Sequence, residues 1–404
     1  MHEVLAGMLG DSHFLTEDEV PGLLVEHGKA LGARDVALYL VDYEQRVLVP
    51  VPMRRGVERQ EVSIDATVAG RCFRSLSVQE VHADDGGRRV WVPVVDGTER
   101  LGVVELVFDW GQGERIDEVA PSFAALIAEL VMTKSVYGDL FEGVRRRRPM
   151  SLAAELLWQL LPPLTFGSER VVITAAVAPI YDVGGDAFDY AVNADTARFA
   201  VFDAMGHGLA AGLMATIAVA AYRNARRAGL DLSATVALID EAVSTHVGDG
   251  RYVTGVLAEL DLSTGRLSWC IAGHPRPLIL RHRRIVKSLE AGAHVPFGLG
   301  ARPGVGHESL EPGDRVLLYT DGITEARSAS GEMFGVERFA DLVTRSSAES
   351  MPAPETMRRL MHALLDHQVG SLRDDATALI VQWPGYGVVD LLKIEEPESD
   401  AHPE

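Results

Sequence analysis

The sequence predicts an α+β chain of two folded units with a helical segment between them. Apolar runs of strand length, bounded by turn residues, recur from Val36 to Phe108 and again from Val171 to Val381. Between 115 and 160 the apolar residues recur at helical spacing instead. A length of 404 residues allows two or three domains, and 47% hydrophobic with 24% charged residues is the composition of a globular protein with a sizeable core.

The first unit is expected over residues 1–112. Val20 to Leu31 reads as a helix, Val36 to Val41 and Arg46 to Val51 as strands, and Asp65 to Ser75 holds a short helix. Val90 to Val95 and Leu101 to Phe108 read as two strands joined through the turn signal Asp96-Gly97. Residues 113–163 are expected to be a linker helix, with Val119, Phe123, Leu126, Ile127, Leu130, Val131, Tyr137, Leu140, Phe141 and Val144 on one face. Arg145 to Arg148, read as a solvated patch, and Pro149 interrupt it; Leu152 to Leu161 resumes it until Pro162-Pro163. Two readings stay open: the helix packs on its own domain, or it pairs with a second copy as a signalling helix and makes a homodimer.

The largest unit is expected over 164–384. Its strand runs are Val171 to Ala178, Ala197 to Phe202, Val253 to Leu260, Leu267 to Ala272, Arg315 to Tyr319 and Ala376 to Val381. Helical patterns lie at Leu209 to Arg223, Ser233 to Thr245 and Ala353 to His367. Hairpins interleaved with helices argue an α+β sandwich. The Pro- and acid-rich residues 385–404 are expected to be a disordered tail.

Charge narrows the function. Asp plus Glu is 58 against 38 Lys plus Arg, a formal net charge of -20, which disfavours binding to nucleic acid or to an anionic membrane. It does not oppose phosphorylated substrates, because a bound metal inverts the local field. The cysteines, Cys72 and Cys270, rule out a disulfide framework and a zinc site with two or more thiolates. No basic and apolar leader pattern opens the sequence, and the longest largely apolar run, Leu209 to Tyr222, is short of the ~20 residues of a membrane helix. The expected location is the cytoplasm.

The carboxylates carry the chemistry. Phe188 to Val192, the turn Asn193-Ala194-Asp195-Thr196 and Ala197 to Phe202 form a hairpin pattern. A symmetric turn centred between Ala194 and Asp195 sets Asp186 opposite Asp203. Directly opposed residues stand about 4.5–5.5 Å apart at Cβ, which suits carboxylates that share ligation of two metal ions about 3.5–4 Å apart. Gly184-Gly185 before the first and Gly206-His207-Gly208 after the second let backbone approach a ligand. Val316 to Tyr319 runs into Thr320-Asp321-Gly322, and Asp374-Asp375 precedes the apolar run Ala376 to Val381. Alone, each of these acids reads as a turn or loop residue. Together they are acidic sites at the ends of apolar strands, able to meet on one rim. Such hard oxygen donors specify Mg²⁺ or Mn²⁺.

These residues resemble the SpoIIE-like branch of the PPM (PP2C-type) metal-dependent serine/threonine phosphatases. The likeness rests on Val183-Gly184-Gly185-Asp186 with Phe188-Asp189, Asp203-Ala204-Met205-Gly206-His207-Gly208 and Ala272-Gly273-His274-Pro275. It continues through Pro312-Gly313-Asp314, Tyr319-Thr320-Asp321-Gly322-Ile323-Thr324-Glu325-Ala326, Gly331-Glu332-Met333-Phe334-Gly335 and Asp374-Asp375-Ala376-Thr377. The resemblance implies an α-β-β-α sandwich holding a pair of Mn²⁺ or Mg²⁺ ions, with a metal-held water and no side chain as nucleophile. It implies Asp186 and Asp203 as shared ligands, the backbone carbonyl of Ala204 as a contributor, and Asp321 and Asp374 as the rest of the set. Two positions depart from the family pattern, Ile271 where Asn is usual and Phe297 where Leu is common; neither is a ligand. His207 and His274 are equally readable as acids or as structural residues and stay outside the set.

The N-terminal residues resemble a GAF sensor domain, on Gly70, Val90 to Val95 and Arg100 to Leu106. This implies a small-molecule ligand or dimerisation; Cys72 reads as a buried structural residue. The implied substrate is a phosphoserine or phosphothreonine protein, commonly in relatives a STAS-type anti-sigma-factor antagonist, under control of the sensor. Two alternatives compete. Cys270 and Arg276 stand at the Cys-x5-Arg spacing of cysteine-dependent phosphatases, but Pro275 lacks an N–H that such a phosphate loop needs. A catalytically silent scaffold is the other, opposed by the intact acidic set.

Overall fold

The computed structural model describes residues 2–53, 58–82, 86–109, 111–113, 116–182, 184–247, 250–282, 284–290, 295–302, 304–348, 352–368 and 374–384. Val183 and the expected tail 385–404 lie outside the described residues. The chain divides into two compact units, with the boundary between Arg148 and Pro149.

The first unit runs α1 (His2–Asp11), α2 (Val20–Ala30), β1 (Asp35–Val41), β2 (Val47–Pro50), β3 (Val62–Ser63), α3 (Val68–Ser75), β4 (Gln79–His82), β5 (Arg88–Asp96), β6 (Glu99–Phe108), α4 (Ile116–Lys134) and α5 (Leu140–Arg145). Its strands form one antiparallel sheet in the order β3-β2-β1-β6-β5-β4. Side chains alternate across a strand, and β1 shows it. Val36, Leu38 and Leu40 join a core with α2 and α4, while Ala37, Tyr39 and Val41 face a second core containing Cys72 and Phe73 of α3. Cys72 is buried there, and burial pushes its thiol well above the usual range.

The second unit runs α6 (Leu152–Leu160), β7 (Thr165–Gly167), β8 (Val172–Ala178), β9 (Asp186–Asn193), β10 (Thr196–Ala204), α7 (Leu209–Arg227), α8 (Leu232–Val247), β11 (Val253–Asp261), β12 (Arg266–Ala272), β13 (Leu278–Arg281), β14 (Arg284–Ser288), β15 (Gly306–Ser309), β16 (Arg315–Tyr319), α9 (Asp321–Thr324), α10 (Gly335–Ala348), α11 (Ala353–His367) and β17 (Ala376–Gln382). One sheet has the order β15-β12-β11-β10-β9 and the other β14-β13-β16-β17-β8-β7. Ile173, Ala175, Val316, Leu318, Leu379 and Val381 of the second sheet share a core with Phe188, Phe199 and Val201 of the first. Their alternates Leu317, Tyr319, Ala376, Ala378 and Ile380 pack instead with Phe339 and Val343 of α10 and Leu360 and Leu364 of α11. On the far side of the first sheet, Phe202 meets Tyr222 of α7 edge-to-face. The layers are helix, sheet, sheet, helix, as expected.

The segment expected as a linker, 113–163, is not one element. Ile116, Ala120, Phe123, Ala124, Ile127, Leu130 and Val131 of α4 are buried in the core of the first unit, whereas Ala154 and Leu157 of α6 are buried in that of the second. The helical stripe of α4 thus covers its own sheet, the first of the two readings. Among the described residues no helix is long and apolar enough to cross a membrane.

A buried ion cluster fastens β9 to α7. Asp189 points to the helix face of its sheet, opposite to Asp186, because the two stand an odd number of residues apart. Its Oδ1 accepts from Nε and Nη2 of Arg223 at 2.9 and 2.6 Å, and its Oδ2 accepts from Nη1 of Arg226 at 2.6 Å. Removing one partner of such a cluster strands the other charges, at about 3–5 kcal/mol. Urea unfolding of Asp189→Ala should therefore show a loss of that size; a loss under ~1 kcal/mol would contradict the assignment.

Candidate metal centre

The hairpin that carries the first two carboxylates folds in the register the sequence predicts. Asn193 pairs with Thr196, the ladder runs without a bulge, and Asp186 comes to face Asp203. Asp186 is 1% exposed and Asp203 half-buried, while Asp321 and Asp374 are exposed. The carboxylates thus run from floor to rim.

Three local features hold them. Thr320, fully buried at the end of β16, donates from Oγ1 to Oδ2 of Asp186 at 2.7 Å and accepts from the Thr377 N–H at 2.9 Å. This ties the strand end bearing Asp321 to the floor of the site. Asp375 Oδ2 accepts N–H bonds from Gly184, Gly185 and Asp186 at 2.7, 2.5 and 3.4 Å. The segment bearing Asp374 is thereby sewn to the glycine turn before Asp186. Glycine is required at two contacts: a Cβ on Gly185 would stand 2.6 Å from the Ala204 carbonyl oxygen, and one on Gly322 would stand 1.8 Å from the Asp375 carbonyl oxygen.

Electrostatics show that the carboxylates sense one another. Burial, then the charges of Asp203 and Asp375, raises the Asp186 carboxyl well above its ordinary range. Burial, then Asp321, Asp374 and Asp375, pushes Asp203 up to about 7. Burial, then Asp374 and Glu325, raises Asp321. Asp375 is raised by burial although its backbone N–H bonds oppose the shift. The segments bearing Asp186, Asp203, Asp321 and Asp374 therefore lie at one end of the sandwich. Among the described residues, however, no three His, Cys, Asp or Glu side chains are drawn together into a closed ion cage.

Ala204 ends β10, and its N–H donates to the Gly185 carbonyl at 3.1 Å. His207 is exposed beside the site. Thr320 and the clamp role of Asp375 were not foreseen; the doubled Asp374-Asp375 was the available signal for the second. The Cys-x5-Arg alternative fails on geometry. Cys270 is buried, burial and then Asp231 push its thiol up to about 11, and Arg276 pairs with Glu290. A nucleophilic thiol needs the opposite shift.

Residues 193–384 match the family described as stage II sporulation protein E, SpoIIE. The second unit is thus similar to the SpoIIE family over these residues. The match contains Asp203, Ala204, Asp321 and Asp374, and starts after Asp186. The chain shares 23% identity over 240 residues with the phosphoserine phosphatase RsbU of Bacillus subtilis (strain 168), across 58% of this chain and 69% of RsbU. Protein IcfG of Synechocystis sp. is 30% identical over 149 residues, 36% of this chain and 23% of that protein. The chain thus spans under a quarter of IcfG. The SiaA-PP2C domain of Pseudomonas aeruginosa is 26% identical, with a TM-score of 0.49, over 57% of this chain and 94% of that domain.

The raised Asp203 carboxyl has a stability consequence with a definite sign. Its folded value of about 7 exceeds the ordinary 3.8, so the metal-free fold holds a proton that the unfolded chain releases. That contribution is complete below about pH 4 and is lost as pH rises through about 7. In chelator, wild type should therefore lose stability relative to Asp203→Asn between pH 4 and 8 in urea melts. A difference independent of pH would contradict the shift.

Proposed function

We propose that this protein is a metal-dependent phosphoprotein phosphatase acting on phosphoserine or phosphothreonine. The observation that carries the proposal is the Asp186–Asp203 pair set face to face in a half-buried site. Such a pair is unfavourable by itself and fits a cation between its members. The donors are oxygens only, which fits Mn²⁺ or Mg²⁺.

Asp186 and Asp203 would be the shared ligands, with Asp321, Asp374 and the Ala204 carbonyl completing the set. A bound pair of ions would activate a water for in-line attack and neutralise charge on the phosphoryl oxygens. The chain's own residues orient the site. Thr320 fixes the Asp186 carboxylate, and Asp375 keeps the glycine turn closed against the Asp374 segment. No side chain is required as nucleophile.

RsbU, a phosphoserine phosphatase by name, supports a phosphoserine protein as substrate. A STAS-type anti-sigma-factor antagonist is the narrower proposal, carried from the family resemblance, with the cytoplasm as location. The first unit would be the GAF-like sensor, with a homodimer as its second mode of signalling. Support comes from its antiparallel sheet with helices on both faces. A cavity of about 390 Å³ bounded by Pro21, Leu24, Leu38, Val51 and Met53, with Arg59 at its edge, supports a small, largely apolar ligand.

Hydrolysis of p-nitrophenyl phosphate tests the reading. The purified chain should turn over with Mn²⁺ or Mg²⁺ and stop in EDTA, and Asp203→Ala should lose at least ~100-fold. Turnover that survives EDTA and the substitution would refute it.

A further inference from the structure

The row of opposed residues does not stop at the two carboxylates. Asp203 pairs with Asp186 on one side and with Thr254 of β11 on the other. Directly paired residues project to the same face of a sheet, so Thr254 flanks Asp203 as Asp186 does. The Thr254 Oγ1 lies 2.8 Å from Nδ1 of His274. His274, just past β12, is only 7% exposed. Its Nε2 is buried with no hydrogen-bond partner among the described residues, and the Tyr319 backbone lies close enough to the ring to favour its protonated form. Tyr319 ends β16, two residues before Asp321.

Protonation states follow from these neighbours. Burial pulls the His274 imidazolium down to about 3, so the ring is neutral. A neutral ring with its hydrogen on Nε2, the tautomer that a neighbouring backbone carbonyl favours, leaves Nδ1 as an acceptor. The Thr254 hydroxyl must then donate to Nδ1. Its one hydrogen is used, and only its lone pairs remain for the carboxylate row. A hydroxyl free to turn would instead donate to Asp203 and compete with a cation for that oxygen.

We propose that His274 is a positioning residue of the metal centre, acting through Thr254. It commits the Thr254 hydroxyl as an acceptor beside Asp203 and links that row to the strand end bearing Asp321. This rests on the metal-dependent reading above. Residues that orient a metal's ligands typically change affinity 10–100-fold when removed.

Calorimetric titration of the full chain with Mn²⁺ tests it. Thr254→Val and His274→Ala should each weaken binding about tenfold or more, the double variant no further than either alone, and Thr254→Ser should keep wild-type affinity. In wild type, ¹⁵N imidazole shifts should report a neutral ring with its hydrogen on Nε2. If His274→Ala does not fold, the near-isosteric Thr254→Val decides. Unchanged Mn²⁺ affinity in Thr254→Val, with only a lowered melting point in EDTA, would make the pair a structural contact and overturn the inference alone. A wild-type chain that binds no Mn²⁺ would remove the metal reading and this inference with it.

Discussion

The repulsion between Asp186 and Asp203 is the constraint on which the rest of the second unit depends. A β-hairpin register places them face to face, one at the floor and one half-buried. Asp321, Asp374 and Asp375 add their charges to the same space. Folding alone would work against such a cluster. The fold tolerates it by holding protons on raised carboxyls and by fixing each segment through bonds that do not need the charge. The Thr320 hydroxyl and the N–H groups before Asp186 do this. Under the proposed function, this is stability given up for a site that a divalent cation would complete.

The sandwich provides what such a site needs. Both sheets are buried between helices, so the strand ends cannot shift without disturbing the inter-sheet core. Asp189, on the opposite face of β9 from Asp186, anchors the same strand to α7 through Arg223 and Arg226. One strand thus carries a carboxylate of the candidate site on one face and its anchor on the other. Thr254 and His274 extend the row away from Asp186 and reach toward β16.

Much of this was legible in the sequence because it is local. The Asn193-Ala194-Asp195-Thr196 turn fixed the hairpin register, and from it the opposition of Asp186 and Asp203. The alternation of apolar residues marked the strands, and the Ala-rich pattern from Leu209 marked α7. What stayed hidden is long-range. The Asp375 carboxylate meets Gly184, far away in the chain, and a lone threonine such as Thr320 or Thr254 carries no signature of its partner. The sequence leaves the segment 113–163 open for a different reason: an apolar helical stripe fits its own sheet as well as a second copy. Only the tertiary packing of α4 and α6 on different cores decides.

The central claim is that these carboxylates oppose folding until a divalent cation joins them. Urea unfolding of wild type and Asp186→Asn at pH 7.5, in EDTA and in saturating Mn²⁺, tests it most directly. In EDTA the variant should be the more stable protein, because it has no buried carboxyl that must either take up a proton or stay charged on folding. In Mn²⁺ at ~100 times the dissociation constant, wild type should gain about 2.7 kcal/mol and the variant little, so that the order reverses. A variant less stable than wild type in EDTA, with equal gains in Mn²⁺, would contradict the account.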